Sequence, residues 1–77
     1  MMSKGRKWTR SAAGYYVLLV SDYVHIQIEV FTGEYEYTVY VLDMPILDGR
    51  SGSLENAQLE SRTRAREWMR RHAEALS

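Results

Sequence analysis

Two histidines and ten carboxylates are the main side chains with catalytic or ligating chemistry; the chain has no cysteine, which removes thiol nucleophiles and thiolate metal sites. His25 shares an alternating segment with Glu29, and Glu36 follows on the next such segment. Alternation puts an imidazole and a carboxylate on one face of a sheet, the pairing that a general base or a weak metal site requires. A flat sheet face, however, offers no cleft to exclude water, which weighs against catalysis. His72 falls on the apolar stripe of a helical segment, where a hydrogen-bonded core histidine is expected. No catalytic residue, metal or cofactor is therefore expected.

Gly49-Arg50-Ser51-Gly52-Ser53 precedes a helix start, a position where backbone N–H groups can hold an anion. The stretch lacks the Lys and the length of a P-loop, and a tight loop-to-helix turn accounts for both glycines. A strand precedes its Gly-x-x-Gly, whereas KH domains place that motif between two helices. Arg62, Arg66 and Arg70 form a basic stripe at i, i+4 and i+8, with glutamates interleaved. Lys4, Arg6, Lys7 and Arg10 surround Trp8 in a basic N-terminal arm. These seven cations are the candidate nucleic-acid contacts.

Positioning any of these groups falls to one small domain of 77 residues. A chain this short buries only about 60% of the surface its unfolded form exposes, and its core contributes roughly 3–5 kcal/mol. The longest apolar run, Tyr15 to Val20, is far below the roughly 18 residues of a membrane span, and no signal-peptide pattern follows the basic start. The expectation is a cytosolic protein with no membrane partner. The formal net charge is zero, but it is a cancellation: residues 1–21 carry +4, residues 22–49 carry −6, and residues 50–77 carry +2.

Three strands are expected. Tyr15 to Val20 is apolar on both faces, so either Tyr15, Val17 and Leu19 or Tyr16, Leu18 and Val20 face outward. In Tyr23 to Phe31, Val24, Ile26, Ile28 and Val30 point one way and Tyr23, His25, Gln27, Glu29 and Phe31 the other. Thr32-Gly33 supplies a tight turn into Glu34 to Leu42, with Tyr35, Tyr37, Val39 and Val41 inward. Residues 43–53, holding the only proline and two glycines, read as a loop under which Met44, Ile46 and Leu47 tuck. Ser53 reads as the N-cap of a helix over 54–76, packed through Leu54, Ala57, Ser61, Ala65, Trp68, Met69, His72 and Leu76. Glu60–Arg64, Glu67–Arg71 and Arg70–Glu74 are spaced as i,i+4 pairs. Residues 1–7 read as a disordered basic arm, and Trp8 is expected on a sheet edge or in an interface. The fold expected is α+β, a three-stranded antiparallel meander in β-β-β-α order with one long C-terminal helix across one face.

One helix covers one face. The other would carry Tyr23, His25, Gln27, Glu29, Phe31, Glu34, Glu36 and Tyr40, aromatics among carboxylates, which is the composition of a binding surface rather than of a solvated sheet. These eight residues are the candidate partner-binding set.

From Trp8 onward the layout resembles small proteins of unknown function encoded in phage and prophage genomes. They share a Trp, a Tyr-rich hairpin, a third strand and a helix start like Ser53-Leu54-Glu55-Asn56-Ala57-Gln58. Proteins of this kind include inhibitors of host defence, among them anti-CRISPR proteins, which act by occluding a surface of a larger nucleoprotein complex. The resemblance implies such an inhibitor, with the acidic middle segment directed at a basic surface. Val41-Leu42-Asp43-Met44-Pro45 followed by Leu54-Glu55-Asn56-Ala57 also resembles the strand, loop and helix of HicB-type antitoxins. Ile46 stands where that pattern has Gly, and three expected strands precede the loop instead of two. The leading expectation is thus a non-enzymatic binding protein that meets a basic surface. The alternatives are an antitoxin-like or regulatory nucleic-acid-binding protein and a structural homodimer.

Overall fold

The computed structural model describes residues 7–72. They form strands β1 (Thr9–Arg10), β2 (Tyr16–Leu19), β3 (Val24–Phe31), β4 (Glu34–Val41) and β5 (Met44–Ser51), then helix α1 (Leu54–Arg71). The strands pair antiparallel in sequence order in a single sheet. The architecture is α+β, but the three-stranded meander is wrong: the sheet has five strands, and the stretch read as a loop is mostly β5.

Each misleading residue in β5 has a local reason. Val41 and Met44 close a two-residue hairpin, so the next pair, Tyr40 and Pro45, is not hydrogen-bonded and the proline ring nitrogen faces away from β4. A register shift at Val39/Tyr40 then absorbs one extra residue. Met44 and Ile46 do not tuck inward: both are exposed, and only Leu47 packs against the core. The two tight hairpins, at Thr32-Gly33 and Leu42-Asp43, have positive φ at both central residues, which matches the right-handed twist of the strands.

The inner face carries Leu18 from β2, Val24, Ile26 and Ile28 from β3, and Tyr37, Val39 and Val41 from β4, all buried. Val30 was expected to join them but stays 51% exposed near the hairpin tip. Pairing of Leu18 with Ile26 settles the first expected strand: Tyr16 and Leu18 face inward, Val17 and Leu19 outward. The helix opposes these large side chains with small ones. Ala57, Ser61 and Ala65 are fully buried at i, i+4 and i+8, so its backbone comes close to the sheet. Ser61 meets its polar need by donating to the Gln58 carbonyl at 3.2 Å. Ser53 caps the helix, its Oγ accepting from the Asn56 N–H at 3.1 Å. The helix reaches β3, β4 and β5 but not β1 or β2. Trp8 packs against the core just ahead of the edge strand β1.

His72 is not a core residue. It caps the helix end exposed, stacked on Trp68 with ring centroids 4.2 Å apart. Glu67 and Arg71 pair at 3.3 Å, whereas Glu74 and Leu76, like Lys4 and Arg6, lie outside the described residues. Glu60 and Arg64 meet through a third group. The Tyr37 hydroxyl donates to Glu60 Oε2 at 2.7 Å and accepts from Arg64 Nη1 at 2.9 Å, and the same Nη1 reaches the Asp48 carbonyl at 3.0 Å.

Gly49 is part of this clamp. A Cβ there would overlap the Tyr37 hydroxyl and Cζ, so the glycine makes room for the phenol and is not a feature of an anion-binding turn. Gly49→Ala is expected to lower the unfolding free energy by about 2 kcal/mol, the scale of an overpacked core, in urea denaturation. A loss below about 0.5 kcal/mol would mean that Tyr37 can step aside at no cost.

Burial is the largest influence on the Tyr37 phenol and pushes it above its ordinary value; the Arg64 hydrogen bond pulls it down and the Glu60 hydrogen bond pushes it up. The contact with Tyr37 also holds the Arg64 guanidinium above its usual value, so it stays cationic. A folded-state value above the unfolded one means that the phenol's contribution is complete below the unfolded value, about pH 10, and is lost as pH rises through the folded one. Thermal melts from pH 8 to 11.5 are expected to show a steeper alkaline loss for the wild type than for Tyr37→Phe. Parallel profiles would remove Tyr37 as the group responsible.

Candidate functional site

The register assembles the outer face in rows running across the strands. Leu19, His25, Tyr40 and Pro45 form one row; Thr9, Val17, Gln27, Thr38 and Asp48 the next; Glu29, Glu36 and Arg50 the third; Phe31 and Glu34 the last. Seven of the eight partner-binding candidates, namely His25, Gln27, Glu29, Phe31, Glu34, Glu36 and Tyr40, therefore share one surface. Tyr23 sits just before β3 at the end of the sheet, in a recess with Leu19, His25 and Leu42.

The two ends of this face differ in chemistry. At the Tyr23 end, the His25 and Tyr40 rings stack with centroids 4.7 Å apart and planes 6° from parallel, beside the exposed Leu19. The stack follows from register, since the two residues are direct cross-strand partners on an extended pleat. The same register sets the imidazole two rows from Glu29 and Glu36, out of reach of an acid–base pair with either. Among the described residues, no group of three or more His, Asp or Glu side chains could hold a metal ion, and no helix is long and apolar enough to cross a membrane.

At the other end, Glu29 stands directly opposite Glu36, about 5 Å away between Cβ atoms, an arrangement of like charges that destabilises a sheet. Arg50 relieves one side of it, with Nη1 3.5 Å from Glu34 and Nε 3.9 Å from Glu36. Glu29 has no ion-pair partner among the described residues. Arg50 and Asp48 belong to this face only because β5 is a strand. Outward Asp48 and Arg50 alternating with inward Leu47, Gly49 and Ser51 was the signal available, hidden by the glycines.

The candidate nucleic-acid contacts are not brought together in the same way. Arg10 pairs with the inward-facing Tyr16 and sets its guanidinium 5.4 Å from that ring's centroid, while Lys7 lines an outer-face recess with Val17 and Leu19. Arg66 and Arg70 are exposed on the helix, but Arg62 is half-buried, and its Nε is buried with no partner among the described residues. The i, i+4, i+8 stripe is thus broken at its first member.

No protein-family model, curated protein or solved structure matches the chain. What the surface can do follows from its geometry, and one more feature belongs to it. The hairpin tip beside Tyr23 holds Leu42 at φ 53° and Asp43 at φ 66°, the left-handed region that asparagine and glycine adopt readily and a leucine adopts at a cost. Leu42 is 68% exposed there, and its N–H donates to the Tyr23 carbonyl at 2.9 Å. Replacing Leu42-Asp43 with Asn-Gly is expected to stabilise the fold by about 1 kcal/mol, read as a higher melting temperature. An unchanged or lower melting temperature would show that the tip is relaxed.

Proposed function

We propose that the chain is a non-enzymatic binding protein whose open sheet face occludes a basic surface on a larger protein or nucleoprotein complex. The observation that carries the reading is the Glu29–Glu36 cross-strand pair. A sheet face selected only for stability would put opposite charges or Thr at those positions, whereas here two carboxylates stand opposite each other on an uncovered surface, with Phe31 in the adjoining row. Four carboxylates on this face, Glu29, Glu34, Glu36 and Asp48, outnumber its two cations, Arg50 and, at the β1 edge, Lys7, so the face attracts cations. Attraction of this kind speeds encounter, and burial of His25, Tyr40, Phe31 and Leu19 slows release. The resemblance to small phage and prophage proteins suggests a host-defence complex as the kind of target.

The test uses the protein as bait in a bacterial lysate, beside Glu34→Lys/Glu36→Lys and Tyr40→Ala. These are surface changes whose folding is checked by circular dichroism. The wild type is expected to retain a defined complex, with at least a tenfold lower yield for each variant and no retention of duplex DNA at low salt. Equal capture by all three baits, or duplex binding that collapses as salt rises, overturns the proposal.

A further inference from the structure

Where β1 turns into β2, Ala13, Gly14 and Tyr15 line a recess of about 280 Å³ together with Glu29, Val30 and Phe31 from the end of β3. The turn that forms one wall is tied at three points: the Ser11 N–H donates to the Tyr15 carbonyl at 2.8 Å, the Gly14 N–H to the Ser11 carbonyl at 3.0 Å, and the Tyr15 N–H to Ser11 Oγ at 3.3 Å. Gly14 makes that turn at φ 98°, a backbone conformation that other residues rarely adopt. The recess is therefore shaped by the backbone itself. Its lining joins one carboxylate to two aromatic rings and small residues.

Glu29 is the acid of this recess, and the charge arrangement around it has no internal answer. Its cross-strand neighbour is Glu36, and Arg50, the cation of that row, is turned to Glu34 and Glu36. Phe31 is 50% exposed beside it. We infer that this recess is the anchor site for an arginine side chain of a protein partner, an inference that rests on the open face being the binding surface. A guanidinium matches both parts of the lining: its planar fork takes the Glu29 carboxylate through paired N–H donors, and its weakly hydrated faces lie against Tyr15 and Phe31. A lysine ammonium fits the charge but loses more hydration and presents no flat face. The carboxylate repels phosphate, so the ligand chemistry is that of a basic protein segment.

The test is a titration of the isotopically labelled protein with the blocked tripeptide Gly-Arg-Gly, followed by amide chemical shifts at low salt. Shifts centred on Gly14, Tyr15, Glu29 and Phe31 are expected, with Gly-Lys-Gly binding at least threefold more weakly and Glu29→Gln binding Gly-Arg-Gly about tenfold more weakly. Glu29 is an exposed residue, and an otherwise unchanged spectrum verifies that the variant is folded. Equal affinity for the lysine peptide overturns the guanidinium assignment. Shifts centred on Glu34 and Glu36, with Glu29→Gln unaffected, overturn the recess while the acidic-face reading stands. If neither Gly-Arg-Gly nor hexa-arginine shifts any residue of the face, both are overturned.

Discussion

The fold turns on where one buried phenol goes. Tyr37 lies on the inner face of β4, fully buried, and its hydroxyl must find partners or cost about 1–3 kcal/mol. It finds them by crossing over Gly49 of β5 to Glu60 and Arg64 on the helix. That single side chain therefore dictates a glycine in the neighbouring strand, an i,i+4 acid–base pair on the helix, and the distance at which the helix rides over the β4–β5 pair. Ala57, Ser61 and Ala65 are the counterpart of this demand. A large residue from the sheet needs small ones opposite, and the helix supplies them at one-turn intervals.

Consequences of that arrangement reach the opposite face. Because the helix is committed to β3, β4 and β5, nothing in the described chain returns to cover the other side of the sheet. What remains there is graded from aromatic and apolar at the Leu19, His25 and Tyr40 end to acidic at the Glu29, Glu34 and Glu36 end. Folding thus separates the charges that the sequence total conceals, with the helix arginines on one side and most of the middle-segment carboxylates on the other.

Strict alternation made β3 and β4 legible, and with them the shared face of His25, Gln27, Glu29, Glu36 and Tyr40, because a period of two survives folding unchanged. Ser53 was legible for a similar reason: a capping side chain acts locally. The rest depended on contacts between residues distant in sequence. Pro45 and Gly49 read as loop residues because the sequence does not show that the proline lies at a sheet edge or that a tyrosine needs the glycine's empty space. Thr9–Arg10 is too short a strand to carry a pattern at all. His72 read as a core residue because a helical stripe says nothing about where the opposing sheet ends. Arg50 entered the site only once β5 existed to place it beside Glu36.

The margins of the sheet also decide how this molecule can be recognised. An outermost strand ordinarily offers a row of free peptide groups onto which any other extended chain can be templated, whatever its side chains. On β5, Pro45 has no N–H to offer, the register shift bends the strand, and Arg64 occupies the Asp48 carbonyl. The opposite margin, β1, is two residues long. With both margins blunted, sequence-indifferent backbone pairing is disfavoured, and a partner must read side chains on the broad surface instead. Selectivity then rests on a few rings and carboxylates, and single substitutions in either partner can change it.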